Sequence, residues 1–428
     1  MRWARKTLWD AGKTIPERFA EALLGVFAEA IPGILIVVLL ASSSAAGCAQ
    51  QITKNEAAFS PPAPSSPKPS SPASSSGDEP DDPGPLATGL APALNAKAIR
   101  PAMRKVADWE LARAETQPPS RSWDFGVLDI GFMAASRTLR DPRYSQFVAS
   151  VGDRFGWKLE RTNDSANDFA IAQAFLEVYR STHNEAQLAP LRRQFDDAVT
   201  LLNDPEKPAW WWCDALFMAP PAGVALSDIT GDGTYNAYVD REWGKTEKAL
   251  YDNQKHLFSR DASYLNKREK NGEKIFWARG NGWVMAGLVR VLAGLPSDDP
   301  LRPHYIELLR QMAKAVATVQ GSDGLWRPGL LDAGSYPLPE VSGSALFTYA
   351  LAWGIEHHML DADIYLPVVE RAWAGLLTHV YADGRLGAIQ PIGEAPAAYK
   401  PGSSYNFGVG AFLLAGAELD VLSGRKHW

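Results

Sequence analysis

The feature that most constrains this chain is a pair of connection types alternating between helical segments. From about Asn95 onward apolar residues recur at three- and four-residue spacings, as in Val284, Leu288, Val291, Leu292 and Leu295. That is the mark of helices with one buried face. Asp141-Pro142-Arg143-Tyr144, Asp232-Gly233-Thr234-Tyr235 and Asp361-Ala362-Asp363-Ile364-Tyr365 each put an acid just ahead of a helix that begins in an aromatic residue. An Asp there accepts hydrogen bonds from the free N–H groups of the first turn, and Pro142 suits the first helical position. Asp323-Gly324-Leu325-Trp326 and Asp383-Gly384-Arg385-Leu386 form the second type. Two alternating connections predict a repeated helical hairpin.

The spacing predicts helices over 96–117, 123–139, 142–156, 167–182, 187–202, 212–229, 233–250, 280–294, 300–320, 341–358, 363–380 and 405–422. Only 256–259 and 386–389 read as short strands within loops. An open row of six hairpins exposes two ends and needs polar capping units. The last helix, rich in Ala, Gly and large apolar residues, does not look like a cap. Closure into a ring accounts for it better. The expected fold is therefore all-α, an (α/α)6 barrel of six helical hairpins over 93–428, with inner helices buried and a mouth formed by the loops at one end.

The preceding segment has a different character. An apolar run, Ile34 to Ala41, follows thirty-odd residues of mixed charge. It falls short of the ~20 residues that span a bilayer but fits the apolar part of a secretory signal. It leads to Ala45-Ala46-Gly47-Cys48, which resembles a bacterial lipobox with Cys48 as the lipidated mature N-terminus. A plain secretory signal with an incidental Cys is the alternative. Residues 60–85 are dominated by Ser and Pro and cannot bury enough apolar surface to offset chain entropy; prolines keep such a stretch extended. The expected organisation is a signal over 1–48, a disordered spacer over 49–92 and the barrel. The body would be exported, facing the periplasm or the cell exterior, and would meet a membrane only through its N-terminal lipid.

Composition narrows the function. Of the 428 residues 46% are hydrophobic and 21% charged, which excludes a disordered chain. A net charge of −6 gives no basic footprint for nucleic acid. Cys48 and Cys213 lie on either side of the expected processing site, which excludes a disulfide framework in the mature chain. The seven His lack metal-ligand spacing, and neither a Gly-x-Ser-x-Gly elbow nor a phosphate loop occurs.

Two segments carry chemistry. In Trp210-Trp211-Trp212-Cys213-Asp214 three successive indoles cannot all face one core, because helical side chains advance by ~100° per residue. Asp214 opens an apolar helix and reads first as its cap. Enclosed by indoles, its carboxyl would instead have a raised pKa suited to a general acid. In Phe276-Trp277-Ala278-Arg279-Gly280-Asn281-Gly282-Trp283, two glycines bracket Asn281 and permit close backbone approach. Arg279 supplies a planar fork for a carboxylate and Trp283 a stacking face, a set that suits an acidic sugar; a turn whose Arg pairs with a structural acid is the alternative. A weaker third segment, 163–173, holds Asp168 at a helix start, which reads as a cap, and Gln173 further along.

The segments Trp211–Ala219 and Phe276–Trp283, with Asn167-Asp168-Phe169-Ala170-Ile171 and Ser342-Gly343-Ser344, resemble glycoside hydrolase family 105, the unsaturated rhamnogalacturonyl hydrolases, and its relative family 88, the unsaturated glucuronyl hydrolases. The resemblance spans about 95–425. It implies an (α/α)6 barrel and an exo-acting enzyme that removes a C4=C5 unsaturated uronic acid from oligosaccharides left by polysaccharide lyases. It implies Asp214 as general acid/base and Asp168 as a second acid that orients substrate or water. Arg279 and Trp283 match residues around the uronate carboxylate and ring, and Trp212 matches an aromatic of the pocket wall. Asn281 and Gln173 complete the expected substrate-binding set. No metal or organic cofactor is implied. One departure is Arg260, in a loop where some members place a His; it puts the leaving-sugar preference in doubt. The expected substrate is unsaturated galacturonyl-rhamnose from pectin. The same chemistry on unsaturated glucuronyl units from ulvan or glycosaminoglycans, and a non-catalytic glycan-binding lipoprotein, are the alternatives.

Overall fold

The computed structural model of the protein describes residues 76–160 and 165–425. In chain order the described elements are β1 (Gly77–Asp78), α1 (Ala96–Glu115), α2 (Trp123–Leu139), α3 (Pro142–Phe155), α4 (Ala170–Thr182), α5 (Glu185–Leu201), α6 (Ala215–Met218), α7 (Pro220–Thr230) and α8 (Thr234–Leu250). Then come β2 (Tyr251–Asp252), β3 (Leu257–Phe258), α9 (Ala278–Gly294), α10 (Arg302–Thr318), α11 (Val341–Glu356), α12 (Ala362–Leu377), β4 (Ser404–Tyr405) and α13 (Asn406–Gly424). The expected helices are all present, with ends shifted by a few residues. The exception is 212–229, which Pro220 and Pro221 split into α6 and α7. A proline lacks the N–H that would continue the helical ladder.

The hairpins close into the expected ring. Helices α2, α4, α6 with α7, α9, α11 and α13 pack in that order, and α13 returns to pack on both α11 and α2. Every residue of α11 is buried. Helix α13 is long and apolar enough to cross a membrane by length and composition, yet it is largely buried in this ring. Its contact with α2 is backbone to backbone: a Cβ on Gly131 would lie 2.6 Å from the Gly410 Cα, and one on Gly410 would lie 2.3 Å from the Val127 carbonyl.

The predicted connections behave as a repeat. Asp141 and Asp361 cap α3 and α12 by accepting from the N–H of Arg143 and of Asp363, and the Asp232 carboxylate accepts from the Thr234 N–H. Gly324 and Gly384 both take positive φ, 83° and 110°. Each turn docks on the next outer helix, Gly324 against the Arg371 carbonyl of α12 and Gly384 against the Lys105 carbonyl of α1. No side chain fits either place.

Other expectations need revision. Strand β3 falls within 256–259 and pairs with β2, but Leu386 makes only an isolated bridge to Val380. The Pro-rich spacer does not run to residue 92 as a free chain. Strand β1 pairs with β4, Asp78 and Asp81 form ion pairs with Arg385 and Lys400, and the Ala87 N–H donates to the Val380 carbonyl at 2.8 Å. Pairing with the body supplies the backbone partners that the segment's composition cannot. The expected signal, with Cys48, lies outside the described residues.

Gly410→Ala tests the closure. Ala gains about 1 kcal/mol of helix propensity over Gly, but the new methyl meets a fixed carbonyl. A net loss of about 2 kcal/mol is expected in denaturant unfolding.

Candidate functional site

The inner helices present their first turns to one end of the ring. There the first turns of α2, α9 and α13 meet: Trp123 lies edge-on to Trp283 and tilted over Phe407, and the Arg279 guanidinium lies 4.9 Å over the Phe407 ring. The chemistry-bearing residues gather at this end.

Asp214 precedes the single turn α6, and its side chain caps nothing. Its carboxyl is buried. Cys213 Sγ lies 3.7 Å from one oxygen and Arg260 Nε 3.6 Å from the other. Burial raises its pKa to about 6, against the pull of Arg260 and then Arg279. Asp261 goes the other way. Burial works against its ionisation, but donation from Arg260 and Ser263 outweighs that and holds it below the ordinary carboxylate value. Two neighbouring acids driven apart in this way are suited to different tasks at one pH.

The three consecutive indoles separate as expected. Trp210 is 1% exposed, Trp211 49% and Trp212 7%. Trp212 bridges backbone to Asp261, and the Cys213 N–H donates to the Arg260 carbonyl at 2.8 Å. This short antiparallel contact sets Arg260 beside Asp214. The Arg260 guanidinium lies 5.5 Å from the Trp211 ring. Asp168 is buried in a one-turn 3-10 helix, Ala166–Phe169, whose cap position is Ser165. It is therefore not the cap that its position suggested. That turn packs on α6.

The first turn of α9 is structural to a degree that the sequence did not convey. Arg279 is fully buried and donates to the carbonyls of Gln390 at 2.5 Å and Pro391 at 2.7 Å. It lies 3.9 Å from Glu340, itself buried, and 4.3 Å over the Trp277 ring. Its fork holds a loop, where a carboxylate of the substrate was expected. Asn281 is satisfied on every side, accepting from the Phe258 N–H and donating to the carbonyls of Phe258 and Trp277. Gln173 donates to the carbonyls of Phe217 and Met218 and accepts from Arg290. The Phe217 carbonyl lacks its helical partner because position 221 is proline, so Gln173 repairs the break between α6 and α7. Trp283 is buried between Trp123 and Phe217 and presents no open stacking face. These four expected substrate contacts build the walls of the site.

Residues outside the expected set complete it. Glu340 accepts from the N–H groups of Ser342 and Gly343, from the Ser342 hydroxyl and from the Gln390 N–H. Trp277 Nε1 donates to the Gln390 side chain at 2.9 Å. Together with Arg279 these bonds fix the rim loop 390–398, which carries Glu394. An acid just ahead of an apolar helical run was a readable signal for Glu340, since a carboxylate is favoured at a helix N-terminus. Nothing local in the sequence marked Gln390 or Glu394. Among the described residues no group of three His, Cys, Asp or Glu is placed to hold a metal ion.

Comparison with known proteins follows the same lines. The model of Glycosyl Hydrolase Family 88 matches residues 97–422. The chain is 34% identical over 346 residues to the unsaturated 3S-rhamnoglycuronyl hydrolase of Formosa agariphila, covering 76% of this chain and 91% of that protein. It is 32% identical over 321 residues to the enzyme of the same name from an Alteromonas species, covering 70% and 78%. A solved structure described as a glycosyl hydrolase family 88 protein from Bacteroides vulgatus superposes with a TM-score of 0.70 at 31% identity, covering 76% of this chain and 98% of that one.

The placement of Arg279 has a direct check. Arg279→Gln leaves two loop carbonyls and Glu340 without their cation, so it should cost on the order of 3–5 kcal/mol in unfolding experiments. Unchanged stability with a raised KM alone would mean that Arg279 faces the substrate.

Proposed function

The chain belongs to glycosyl hydrolase family 88 and is a glycosidase, and from that premise we propose that it removes a C4=C5 unsaturated uronic acid, linked to rhamnose, from the non-reducing end of lyase-generated oligosaccharides. The observation that carries the reading is Asp214. It is an uncapped, buried carboxyl with a pKa near 6, so much of it stays protonated at mildly acid pH. The bond to be attacked is a vinyl ether. Asp214 donates its proton to C4, which leaves positive charge shared between C5 and the ring oxygen. A water oxygen adds at C5 and gives up a proton to the carboxylate just formed. The C5 hemiketal opens to a ketone, the C1 hemiacetal follows, and the aglycone leaves as an alcohol. One group serves as acid and then as base, which a pKa near the working pH favours. Asp168 is the group we assign to orienting substrate or water. The spacing of two carboxylates that sorts ordinary glycosidases does not bear on this chemistry.

The names of both relatives favour a glycuronyl unit on rhamnose over galacturonyl-rhamnose from pectin. The exported, lipid-anchored form read from residues 1–48 agrees with work on oligosaccharides outside the cytoplasm.

Loss of the ultraviolet band of the C4=C5 double bond tests the reaction. Turnover is expected on unsaturated glucuronyl-rhamnose, and faster than on unsaturated galacturonyl-rhamnose. The reverse order would move the substrate to pectin, and no loss on either would leave a glycan-binding barrel. Asp214→Asn should lower kcat by about 10²–10⁴ while the fold stays intact. Since the acid form must be present, kcat/KM should fall as pH rises through about 6. A rate still rising above pH 7 would contradict that role.

A further inference from the structure

The carboxylate of an unsaturated uronic acid hangs on C5, the atom next to the C4 that Asp214 must reach. Whatever cation holds that carboxylate therefore lies within a few ångströms of Asp214. Two guanidinium groups act on Asp214, those of Arg260 and Arg279. Arg279 has its donors committed to the carbonyls of Gln390 and Pro391. Arg260 differs. Its side chain is 12% exposed, and its Nε is buried with no acceptor within hydrogen-bond reach. A buried donor left without a hydrogen bond is costly, and this one stands 3.6 Å from an Asp214 carboxyl oxygen, beyond hydrogen-bond reach.

The other end of the same guanidinium faces the rim. One terminal nitrogen is committed to Asp261 at 2.6 Å. The other lies 3.6 Å from Glu394, whose side chain is 64% exposed on the 390–398 loop. That distance is too long for a good hydrogen bond, and an ion pair with so exposed a partner is weak. We propose that Arg260 is the receptor for the substrate's carboxylate and that Glu394 competes with the substrate for it. The proposal rests on the unsaturated uronyl reading above. A planar fork with one open donor edge matches a carboxylate better than it matches a hydroxyl. The half-exposed Trp211 ring flanks the guanidinium at 5.5 Å. The antiparallel contact of residues 212–213 with 260–261 fixes the cation relative to the acid, so the carboxylate and C4 are positioned by one piece of backbone.

The test uses the protein with a sulfate-free unsaturated glucuronyl disaccharide and, separately, calorimetry with glucuronate and with glucose. Arg260→Gln should raise KM about 10- to 100-fold, the size of one charge-assisted hydrogen-bonded contact, and Arg260→Lys should recover part of the loss. Glu394→Gln should lower KM several-fold in the wild-type background. In the Arg260→Gln background it should have no effect, because the two groups would act as a coupled pair. A merely structural Arg260 would not produce that coupling. Glucuronate should bind the wild type more tightly than glucose does, and Arg260→Gln should abolish the difference. Additive effects of the two substitutions, or an unchanged KM in Arg260→Gln, would overturn the assignment. So would an effect of Arg260→Gln that shows only when the leaving sugar carries a sulfate. The glucuronate preference does not need turnover. A protein that keeps it, loses it on Arg260→Gln, yet leaves the double bond intact would refute the reaction and retain the carboxylate receptor.

Discussion

The first turn of α9 holds the site together. Arg279 ties down the rim loop through two carbonyls. Asn281 binds both backbone groups of Phe258, two residues before Arg260. Gly280 leaves room for the acid: a Cβ there would lie 3.0 Å from Cys213 Sγ and 3.4 Å from an Asp214 oxygen. Trp283, one turn on from Arg279, packs beneath them. Acid, cation and rim are thus positioned by a single turn, and its own residues are almost wholly withdrawn from solvent. Rigid placement of this kind lets a site act without reorganising during the reaction.

The ring gives that turn its setting. Because each hairpin returns the chain to the same end, the inner helices run parallel and their first turns converge. Helix N-termini carry partial positive charge and C-termini partial negative charge. The acid-bearing segments and the expected anionic substrate belong at the first end. Toward the other end Arg137 and Arg290 both pair with Glu177, and Arg425 pairs with Glu356, so cations complement the closing turns. Gln173 joins the two halves, since it repairs the break in front of α7 and accepts from Arg290. The chain as a whole is acidic, with a net charge of −6, so attraction of the proposed anionic sugar would have to be a local property of the mouth.

Much of this was legible. Helical periodicity and two connection types suffice for the ring, and the twin turns at Gly324 and Gly384 dock in the same way one hairpin apart. Asp214 was legible because an acid beside three indoles is an unusual neighbourhood. The structural roles of Arg279, Asn281, Gln173 and Trp283 were not legible for one physical reason. A fork, an amide or an indole that binds a sugar is the same residue as one that binds a loop, and only burial and partners separate the two uses. Gln390 and Glu394 were illegible because they act on the site through contacts with residues fifty or more positions away. The early pairing of β1 with β4 was hidden likewise, since a Pro-rich segment shows no strand pattern until a partner edge is supplied.

In this enclosed end of the barrel one carboxylic acid stays protonated well above its ordinary range. An infrared titration of the wild type against Asp214→Asn isolates that single carboxyl in the difference spectrum. The band of the protonated acid should disappear with an apparent pKa of about 6. Disappearance near 3.8, the ordinary value for an Asp, would show that Asp214 is ionised throughout the working range and would contradict its role as the proton donor.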